Sequence, residues 1–213
     1  MELHLRTGLS WCLCNGRAIF LDLPRDRYFC LPEERDALFR DWACGDTSGS
    51  PEVAAQLADI VQPGPGLHAK AIHQPATCDL GEGGARALFG DACIAAFAQL
   101  RARRALKREP IAALIAGLAS RPCDTGARPD SAGLERIAAA FRTTAGWVES
   151  ADQCMPRALA ARRMCNCRGL GAALILGVRL APFAAHAWVQ ADEAVVVGDL
   201  EQVRLYTPIL VVP

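Results

Sequence analysis

The stretch ADQCMPRALAARRMCNCRGLGAALILGVRLAPFAAHAWVQADEAVVVGD, residues 151–199, decides how the C-terminal part of the chain folds. Its first part is rich in Ala, Leu, Arg and Met, which favours a helix that begins near Cys154 and ends at a glycine. The apolar run 172–178 predicts a strand, and the alternating run 185–191 predicts another. EAVVVGD predicts a third strand, which would form a hairpin with the second.

Three side chains of this stretch are candidates for one catalytic site. Cys154 would lie at a helix N-terminus, where unpaired N–H groups and the helix dipole favour a thiolate. His186 would share one face of its strand with Trp188 and Gln190, because side chains alternate along a strand. The hairpin would return Asp199 toward His186, where the carboxylate can fix one imidazole tautomer while the other nitrogen takes the cysteine proton. The pattern predicts Cys-His-Asp catalysis.

Two alternatives remain open within this stretch. Asp192 is the alternative to Asp199, although its place at the turn would put it far from the imidazole. Cys165 and Cys167 are alternatives to Cys154, but both would lie near the C-terminal end of the helix, where the dipole disfavours a thiolate. Each of these residue types is also common in purely structural roles, because cysteines are often buried and single histidines often pack in cores.

Length and composition indicate a globular protein. The chain has 213 residues, which allows one large or two small domains, and 52% of them are hydrophobic, which is ample for a packed core. Lys plus Arg and Asp plus Glu both total 23, so no strong net field favours nucleic acid or a membrane surface. We find no apolar run long enough for a transmembrane helix and no secretory segment, and we expect a cytoplasmic protein.

The sequence also predicts no metal and no cofactor. Its ten cysteines are scattered, and none has the spacing of a zinc site, so we interpret them as thiols in a reducing compartment. His68 and His73 are too far apart to be neighbours on one helical face. No glycine-rich phosphate-binding loop occurs, so any ATP dependence would come from a partner.

The first part of the chain predicts a small mixed module. LSWCLC, RAIFLDL and RYFCL predict a three-stranded meander, with a strong hairpin signal at Asn15-Gly16. Two helices follow, each with proline and acidic residues at its start, and residues 67–73 are a candidate for a third. The Gly- and Pro-rich residues 63–90 predict a wing and a linker, with a domain boundary near Gly84. This outline is that of a winged helix, and without a basic recognition helix we rank DNA binding lower.

Three helices are predicted between the linker and Cys154. The first covers residues 88–107 and ends in the basic run RARRALKR, where cations suit the helix dipole. We interpret this run as a solvated helix end, with contact to an acidic leader or a nucleotide phosphate as the alternative. A short helix follows Pro110. The third helix, LERIAAAFRTTAGWV, has an apolar face that would pack against the Cys154 helix.

Four pieces of the sequence are similar to a known family. They are CMPRAL at Cys154, the strand LILGVR, PFAAHAWV around His186, and YTPIL near the C-terminus. Together they resemble the transglutaminase-like cysteine peptidases of lasso-peptide biosynthesis, the B proteins, which remove the leader from a ribosomal precursor peptide. The resemblance implies that Cys154 is the nucleophile, His186 the base and Asp199 the orienting group.

The N-terminal segment FLDLPRDRYFCL, with the helix after it, resembles the precursor-recognition element of enzymes that tailor ribosomal peptides. In that element the leader adds as a strand beside the third strand of the sheet, where main-chain hydrogen bonds supply affinity. The resemblance implies leader binding by Arg27, Tyr28, Phe29, Cys30 and Leu31.

We therefore expect an α+β protein with a winged-helix-like leader-recognition module at residues 1–84 and a papain- or transglutaminase-like cysteine peptidase domain at residues 85–213. The expected reaction is hydrolysis of the leader–core peptide bond, with the Gln153 side chain and the Cys154 N–H as candidate oxyanion donors. The expected partners are the precursor leader and the ATP-dependent lasso cyclase, or C protein. Acyl transfer to an amine and an inert precursor-binding escort are the alternative functions.

Overall fold

The computed structural model describes residues 3–45, 50–64, 74–84, 86–119, 130–145 and 154–213. The chain divides into two compact units, Met1–Ile72 and His73–Pro213. Gly84, the expected boundary, falls inside the second unit, because a short strand at Cys78–Asp79 pairs with a strand of that unit. The prediction of a mixed α and β protein is confirmed.

The first unit combines a three-stranded sheet, a two-stranded sheet and two helices in its described part. Its elements are β1 (Leu3–Leu5), β2 (Leu9–Cys14), β3 (Arg17–Asp22), β4 (Arg27–Cys30), α1 (Glu33–Cys44), α2 (Pro51–Gln56) and β5 (Val61–Pro63). β2, β3 and β4 form the predicted antiparallel meander in that order, and β1 pairs antiparallel with β5. The turn between β2 and β3 has φ of 50° at Asn15 and 78° at Gly16, which explains the Asn-Gly pair.

An aromatic cluster and one buried carboxylate hold the first unit together. Phe39 of α1 contacts Trp11 of β2 and Phe20 of β3, with ring centroids 4.9 and 4.7 Å away. Asp36 of α1 is buried and accepts a hydrogen bond of 2.9 Å from the backbone N–H of Ala18. These contacts fix the first helix on the face of the meander.

The end of the first unit differs from the sequence-based prediction. The helix α2 ends at Gln56. Leu57 and Ile60 are buried in the turn that follows, since the chain leaves the helix there to form β5, which the sequence did not predict. The candidate third helix at residues 67–73 lies outside the described residues.

The second unit is a five-stranded sheet with helices. Its elements are β6 (Cys78–Asp79), α3 (Phe89–Leu106), α4 (Ile111–Ala119), α5 (Ser131–Ala145), α6 (Cys154–Cys167), β7 (Ala173–Leu180), β8 (Phe183–Ala191), β9 (Ala194–Val197), α7 (Leu200–Val203) and β10 (Thr207–Val212). The strand order is β10-β7-β8-β9-β6, and all neighbours are antiparallel except β9 and β6. The predicted helix at Cys154 and the predicted hairpin are present.

The helices of the second unit pack around α6. α3 packs against both α5 and α6, and α6 packs against β8. Asp91 of α3 is buried and accepts hydrogen bonds from Arg136 of α5 at 3.0 Å and from Arg168, which directly follows α6, at 2.6 Å. One carboxylate therefore ties three helices together. No helix in the described ranges is long and apolar enough to cross a membrane.

Candidate active site

Cys154 is the first residue of α6, as the sequence predicted. Its side chain is half-buried. Pro156 occupies the first turn of the helix, where a proline costs no hydrogen bond because backbone N–H groups there have no partner within the helix. Gln153, the candidate oxyanion donor, lies outside the described residues. The rival Cys165 is fully buried, and Cys167 is exposed at the other end of the same helix. Of the three, Cys154 alone combines partial exposure with a helix N-terminus.

His186 lies on β8 directly opposite Gly177 of β7. As predicted, it shares one face of the strand with Trp188 and Gln190, and the Trp188 indole N–H donates a hydrogen bond of 3.1 Å to the Gln190 Oε1 atom. The Gln190 amide in turn donates to the carbonyl oxygens of Gln74 at 2.8 Å and Asp192 at 2.6 Å. Gln190 is buried, so this network fixes the orientation of the indole beneath the histidine.

The imidazole of His186 contacts two aromatic rings. Its centroid is 5.1 Å from the Tyr206 ring, with planes 28° apart, and 6.1 Å from the Trp188 ring, with planes 20° apart. The Arg179 guanidinium carbon lies 5.5 Å from the centroid of the Tyr206 ring. We name the group formed by Arg179, Tyr206, His186 and Trp188 the His186 stack. It restricts the imidazole to one plane.

Gly177 makes the His186 stack possible. β7 lies between β10 and β8, so Tyr206, which directly precedes β10, and His186 come from opposite sides of β7. Two strand spacings of about 4.8 Å separate their backbones, and the rings meet above the middle strand. A Cβ atom at Gly177 would lie 2.7 Å from the Trp188 ring and 3.0 Å from the Tyr206 Cβ atom. Any side chain at this position would therefore push the rings apart.

Asp199 supplies the negative charge that acts on His186. It follows β9, and its exposed carboxylate caps α7 by accepting a hydrogen bond of 2.9 Å from the Gln202 N–H. Burial lowers the pKa of His186 below 6.5, and the charge of Asp199 partly opposes that effect. Asp192 lies at the turn after β8, six residues from His186, which is about 20 Å along an extended strand. Between these two carboxylates, the electrostatics favour Asp199.

His186 is poised as a proton acceptor. Its lowered pKa favours the neutral imidazole, and among the described residues its buried Nε2 atom has no hydrogen-bond partner. A buried polar atom without a partner requires a physical explanation, and for a histidine one such explanation is action on a substrate or a neighbouring nucleophile. His186 forms no hydrogen bond with Asp199 or with Cys154 among the described residues. The charge of Asp199 thus acts on His186, whereas the Cys154 thiol and the imidazole are not hydrogen-bonded in the structure.

A further carboxylate connects the first turn of α6 with the start of α7. Asp79 of β6 accepts a hydrogen bond of 3.3 Å from the backbone N–H of Leu200, the residue after Asp199. It also acts on Arg157 of α6: burial lowers the pKa of that guanidinium, and the charge of Asp79 opposes the shift. Arg157 donates a hydrogen bond of 3.1 Å to the carbonyl oxygen of Phe141. Asp79 therefore interacts both with Arg157 of the helix that begins at Cys154 and with Leu200, the residue after Asp199.

Sequence reasoning missed several of these residues. A glycine inside a strand pattern signals close approach of neighbouring groups, so LILGVR contained a signal for Gly177. Tyr206 and Arg179 stood in the quoted motifs without a role, because their contact with His186 depends on strand order. Asp79 had no local signal. Among the described residues, no group of three or more His, Cys, Asp or Glu side chains is placed to hold a metal ion.

The site and the fold define a class of protein. A helix that begins with a cysteine and packs on an antiparallel sheet that carries a histidine is typical of papain-like cysteine peptidases and transferases. Residues 96–211 match the family model of the transglutaminase-like superfamily, and this range contains Cys154, His186 and Asp199. Because the match spans more than half of the chain, the chain belongs to the transglutaminase-like superfamily, whose members generally catalyse reactions with a cysteine. Searches of the curated proteins and of the solved structures found no match.

Proposed function

We propose that the chain is the leader peptidase of a lasso-peptide pathway, which binds the leader of a ribosomal precursor and hydrolyses the leader–core peptide bond. The observation that carries the proposal is the buried Nε2 atom of His186, which has no hydrogen-bond partner in the described part of the chain, while its ring contacts Tyr206 and lies within the field of Asp199. A neutral imidazole held in this way serves as a general base for a thiol. The similarity of CMPRAL, LILGVR, PFAAHAWV and YTPIL to the lasso B proteins supplies the substrate class.

The proposed reaction uses three side chains. His186 takes the proton of the Cys154 thiol, and the sulfur attacks the carbonyl carbon of the scissile bond. The tetrahedral intermediate collapses, the leaving amine receives the proton from His186, and a thioester to the leader remains. Water, deprotonated by His186, then hydrolyses the thioester and restores the thiol. Asp199 stabilises the imidazolium, and the Cys154 N–H and the Gln153 side chain are proposed oxyanion donors.

The first unit, Met1–Ile72, is proposed to be a winged-helix-like leader-recognition module, and the second unit, His73–Pro213, is proposed to carry out catalysis. In the order β2-β3-β4, both β2 and β4 are edge strands of the meander. Most side chains of β2 are buried, whereas Arg27 and Cys30 at the two ends of β4 are exposed. This difference favours β4 as the edge to which a leader strand adds.

The five residues proposed for leader binding do not have equal roles. Phe29 stacks on the buried Phe20 with centroids 5.1 Å apart, and the Arg27 guanidinium lies 5.3 Å from the Phe29 ring centroid. Tyr28 is half-buried beside them. Leu31 is buried, and its carbonyl oxygen already accepts a hydrogen bond of 2.9 Å from Arg17. We propose that residues 27–30 offer the pairing edge and that Leu31 anchors the end of the strand in the core.

Mass spectrometry of the precursor peptide tests the proposed reaction. The precursor encoded beside the gene is incubated with the purified protein, with and without the neighbouring ATP-dependent cyclase, which is the second proposed partner. We expect separate leader and core masses, and none with Cys154→Ala, which should still bind the precursor. A product joined to an added amine would instead identify acyl transfer. A precursor that is bound but stays intact under both conditions would identify an escort protein.

Hydrogen exchange tests the proposed recognition edge within one sample. Addition of the leader peptide to Cys154→Ala should slow amide exchange in residues 27–30 and leave residues 9–14, on the other edge strand, unchanged. Main-chain hydrogen bonds to an added strand would produce that protection. Protection of residues 9–14 instead would move the binding edge to β2.

A further inference from the structure

A groove in the second unit lies apart from the candidate active site. It has a volume of about 1000 Å³ and is lined by residues from α3, α4 and the last turns of α6. Met164 of α6 lines it, ten residues after Cys154, which is about 15 Å along the helix axis. We name it the α3–α4–α6 groove.

The floor of the groove is apolar and partly uncovered. Ile94 and Phe97 of α3 line it and are 53% and 59% exposed, and Leu118 of α4 and Met164 of α6 complete the surface. Large apolar side chains exposed together on one side of a helix are unusual in a monomer and mark binding surfaces. Ala98, which also lines the groove, is small enough to let another chain approach closely.

Arginines surround this floor. Arg101, Arg104 and Arg108 follow one side of α3 and its end, and Arg163 faces them from α6. Within the described part of the chain, none of these four side chains takes part in an ion pair or a side-chain hydrogen bond. Among the described residues, Glu109 is the one acidic residue that lines the groove. The basic run RARRALKR, which we interpreted from the sequence as a solvated helix end, therefore contributes arginines to the rim of a concave apolar surface.

We propose that the α3–α4–α6 groove docks an acidic amphipathic segment of a partner protein. The apolar side of such a segment would cover Ile94 and Phe97, and its carboxylates would pair with Arg101, Arg104 and Arg163. From position 94 to position 108, α3 and its end extend about 20 Å, which matches a partner helix of about 14 residues. Arginine suits this role because its guanidinium pairs carboxylates in a bidentate manner beside apolar surface.

A nucleic acid is the main competing occupant, since arginines also bind phosphates. Single strands bind on grooves where several aromatic rings stack with successive bases. The described residues of the groove floor include one aromatic ring, that of Phe97, and are otherwise aliphatic. The chain also has no net charge to extend a positive field beyond the groove. These observations favour an acidic polypeptide.

Fluorescence anisotropy with defined probes tests the proposal on the full chain. The first probe is a labelled peptide of about 16 residues with Leu at helical spacing and Glu elsewhere, a length set by the groove. The second replaces every Glu with Lys, and the third is a labelled single-stranded oligonucleotide. We expect saturable binding of the Glu peptide that weakens with salt, and markedly weaker binding of the other two.

Two pairs of variants locate the binding surface. Arg104→Glu should weaken Glu-peptide binding about 10-fold, whereas Lys107→Glu, which makes the same charge change at an exposed position outside the groove, should stay within about twofold. Phe97→Ala should weaken it about 5-fold, and Phe89→Ala, at an exposed position of the same helix outside the groove, should not. Arg163→Glu repeats the test from α6. Circular dichroism verifies that each variant is folded.

Three outcomes would overturn the proposal. The first is the absence of saturable Glu-peptide binding. The second is equal weakening by the groove variants and their controls, which would indicate nonspecific attraction. The third is tighter binding of the oligonucleotide than of the Glu peptide, lost in Arg104→Glu, which would identify a nucleic-acid site. None of these readouts depends on peptidase activity, so the proposed function and this surface can fail separately.

Discussion

Gly177 lies directly opposite His186 in the β7–β8 pair, and its missing side chain leaves the space that the Trp188 ring and the Tyr206 Cβ atom occupy. The absence of a side chain at Gly177 therefore helps to position the imidazole of His186. The same glycine connects the strand pairing of the sheet with the orientation of the proposed general base.

Gly177→Ala should reduce both stability and activity. The new Cβ atom would lie 2.7 Å from the Trp188 ring, and the displaced ring would carry His186 out of its plane. Overpacking of this kind costs about 1–3 kcal/mol, and we expect a loss of peptidase activity of about 10-fold or more. Thermal unfolding and precursor cleavage measure the two effects. Gly171→Ala is the matched control, because a Cβ atom there meets no neighbour within 4 Å.

A second substitution shows whether the indole causes that loss. The two nearest atoms that the new Cβ would meet belong to the six-membered ring of Trp188, which phenylalanine would not place there. In a double-mutant cycle, Trp188→Phe should therefore cost less in the Gly177→Ala background than in the original chain. Strictly additive effects would mean that the crowding is relieved elsewhere.

Tyr206→Ala and Tyr206→Phe should separate the ring of Tyr206 from its hydroxyl group. Phenylalanine keeps the ring 5.1 Å from His186, so activity should stay within about threefold of the original. Alanine exposes the imidazole, and because burial lowers the pKa of His186, that pKa should rise toward 6.5. The acid limb of the pH–rate profile should move to higher pH. Proton NMR of the four histidines gives an independent titration.

Asp199→Asn should move the same titration in the opposite direction. The charge of Asp199 raises the pKa of His186 against the effect of burial, so its removal should lower that pKa further and shift the acid limb to lower pH. Asparagine still caps α7, so the fold should persist. The rate at the optimum should fall about 100-fold if the carboxylate stabilises the imidazolium. Asp192→Asn is the control, and an equal effect there would make Asp192 the orienting group.

Several helices and strands of the second unit could be predicted because their signals are local. The helix at Cys154, the strand that carries His186 and the hairpin to β9 each follow from composition or from alternation over a few residues. The His186 stack could not be predicted in this way, since Tyr206 reaches His186 only because β10 pairs with β7 on the side away from β8. Asp79 was also missed, because its β6 strand is two residues long and pairs with a strand far along the chain.

Asp91 should contribute to stability in a pH-dependent manner. Burial would raise the pKa of this carboxyl, but hydrogen bonds and charges from Arg168 and Arg136 lower it below 3.8. The stabilisation is therefore present above pH 4 and is lost as the pH falls through the lowered value. Asp91→Asn should cost about 2–3 kcal/mol at pH 7 and less at pH 3. Urea unfolding at both pH values checks this.

The two arginines that bind Asp91 should differ in their contributions. The Arg168 side chain is 28% exposed and binds at 2.6 Å, whereas that of Arg136 is 52% exposed and binds at 3.0 Å. Solvent screens the more exposed pair, so Arg168→Gln should destabilise the fold more than Arg136→Gln. The opposite order would mean that the α3–α5 contact carries more of the stability than the α3–α6 contact.

Labelling of Cys154 tests the contact that the proposed reaction needs. If the thiol comes within hydrogen-bond reach of His186, the imidazole accepts its proton, and iodoacetamide should modify Cys154 faster than Cys167 at pH 7. Cys167 is the matched comparison, because it is exposed at the other end of the same helix. Cys12 should react slowly, since burial, with smaller effects from Cys14 and Cys30, raises the pKa of its thiol to about 12. His186→Ala should slow Cys154 about 10-fold and leave Cys167 unchanged, as measured by peptide mapping. If His186→Ala left the rate of Cys154 modification unchanged, the imidazole would not act on this thiol, and the proposed catalysis would lose its basis.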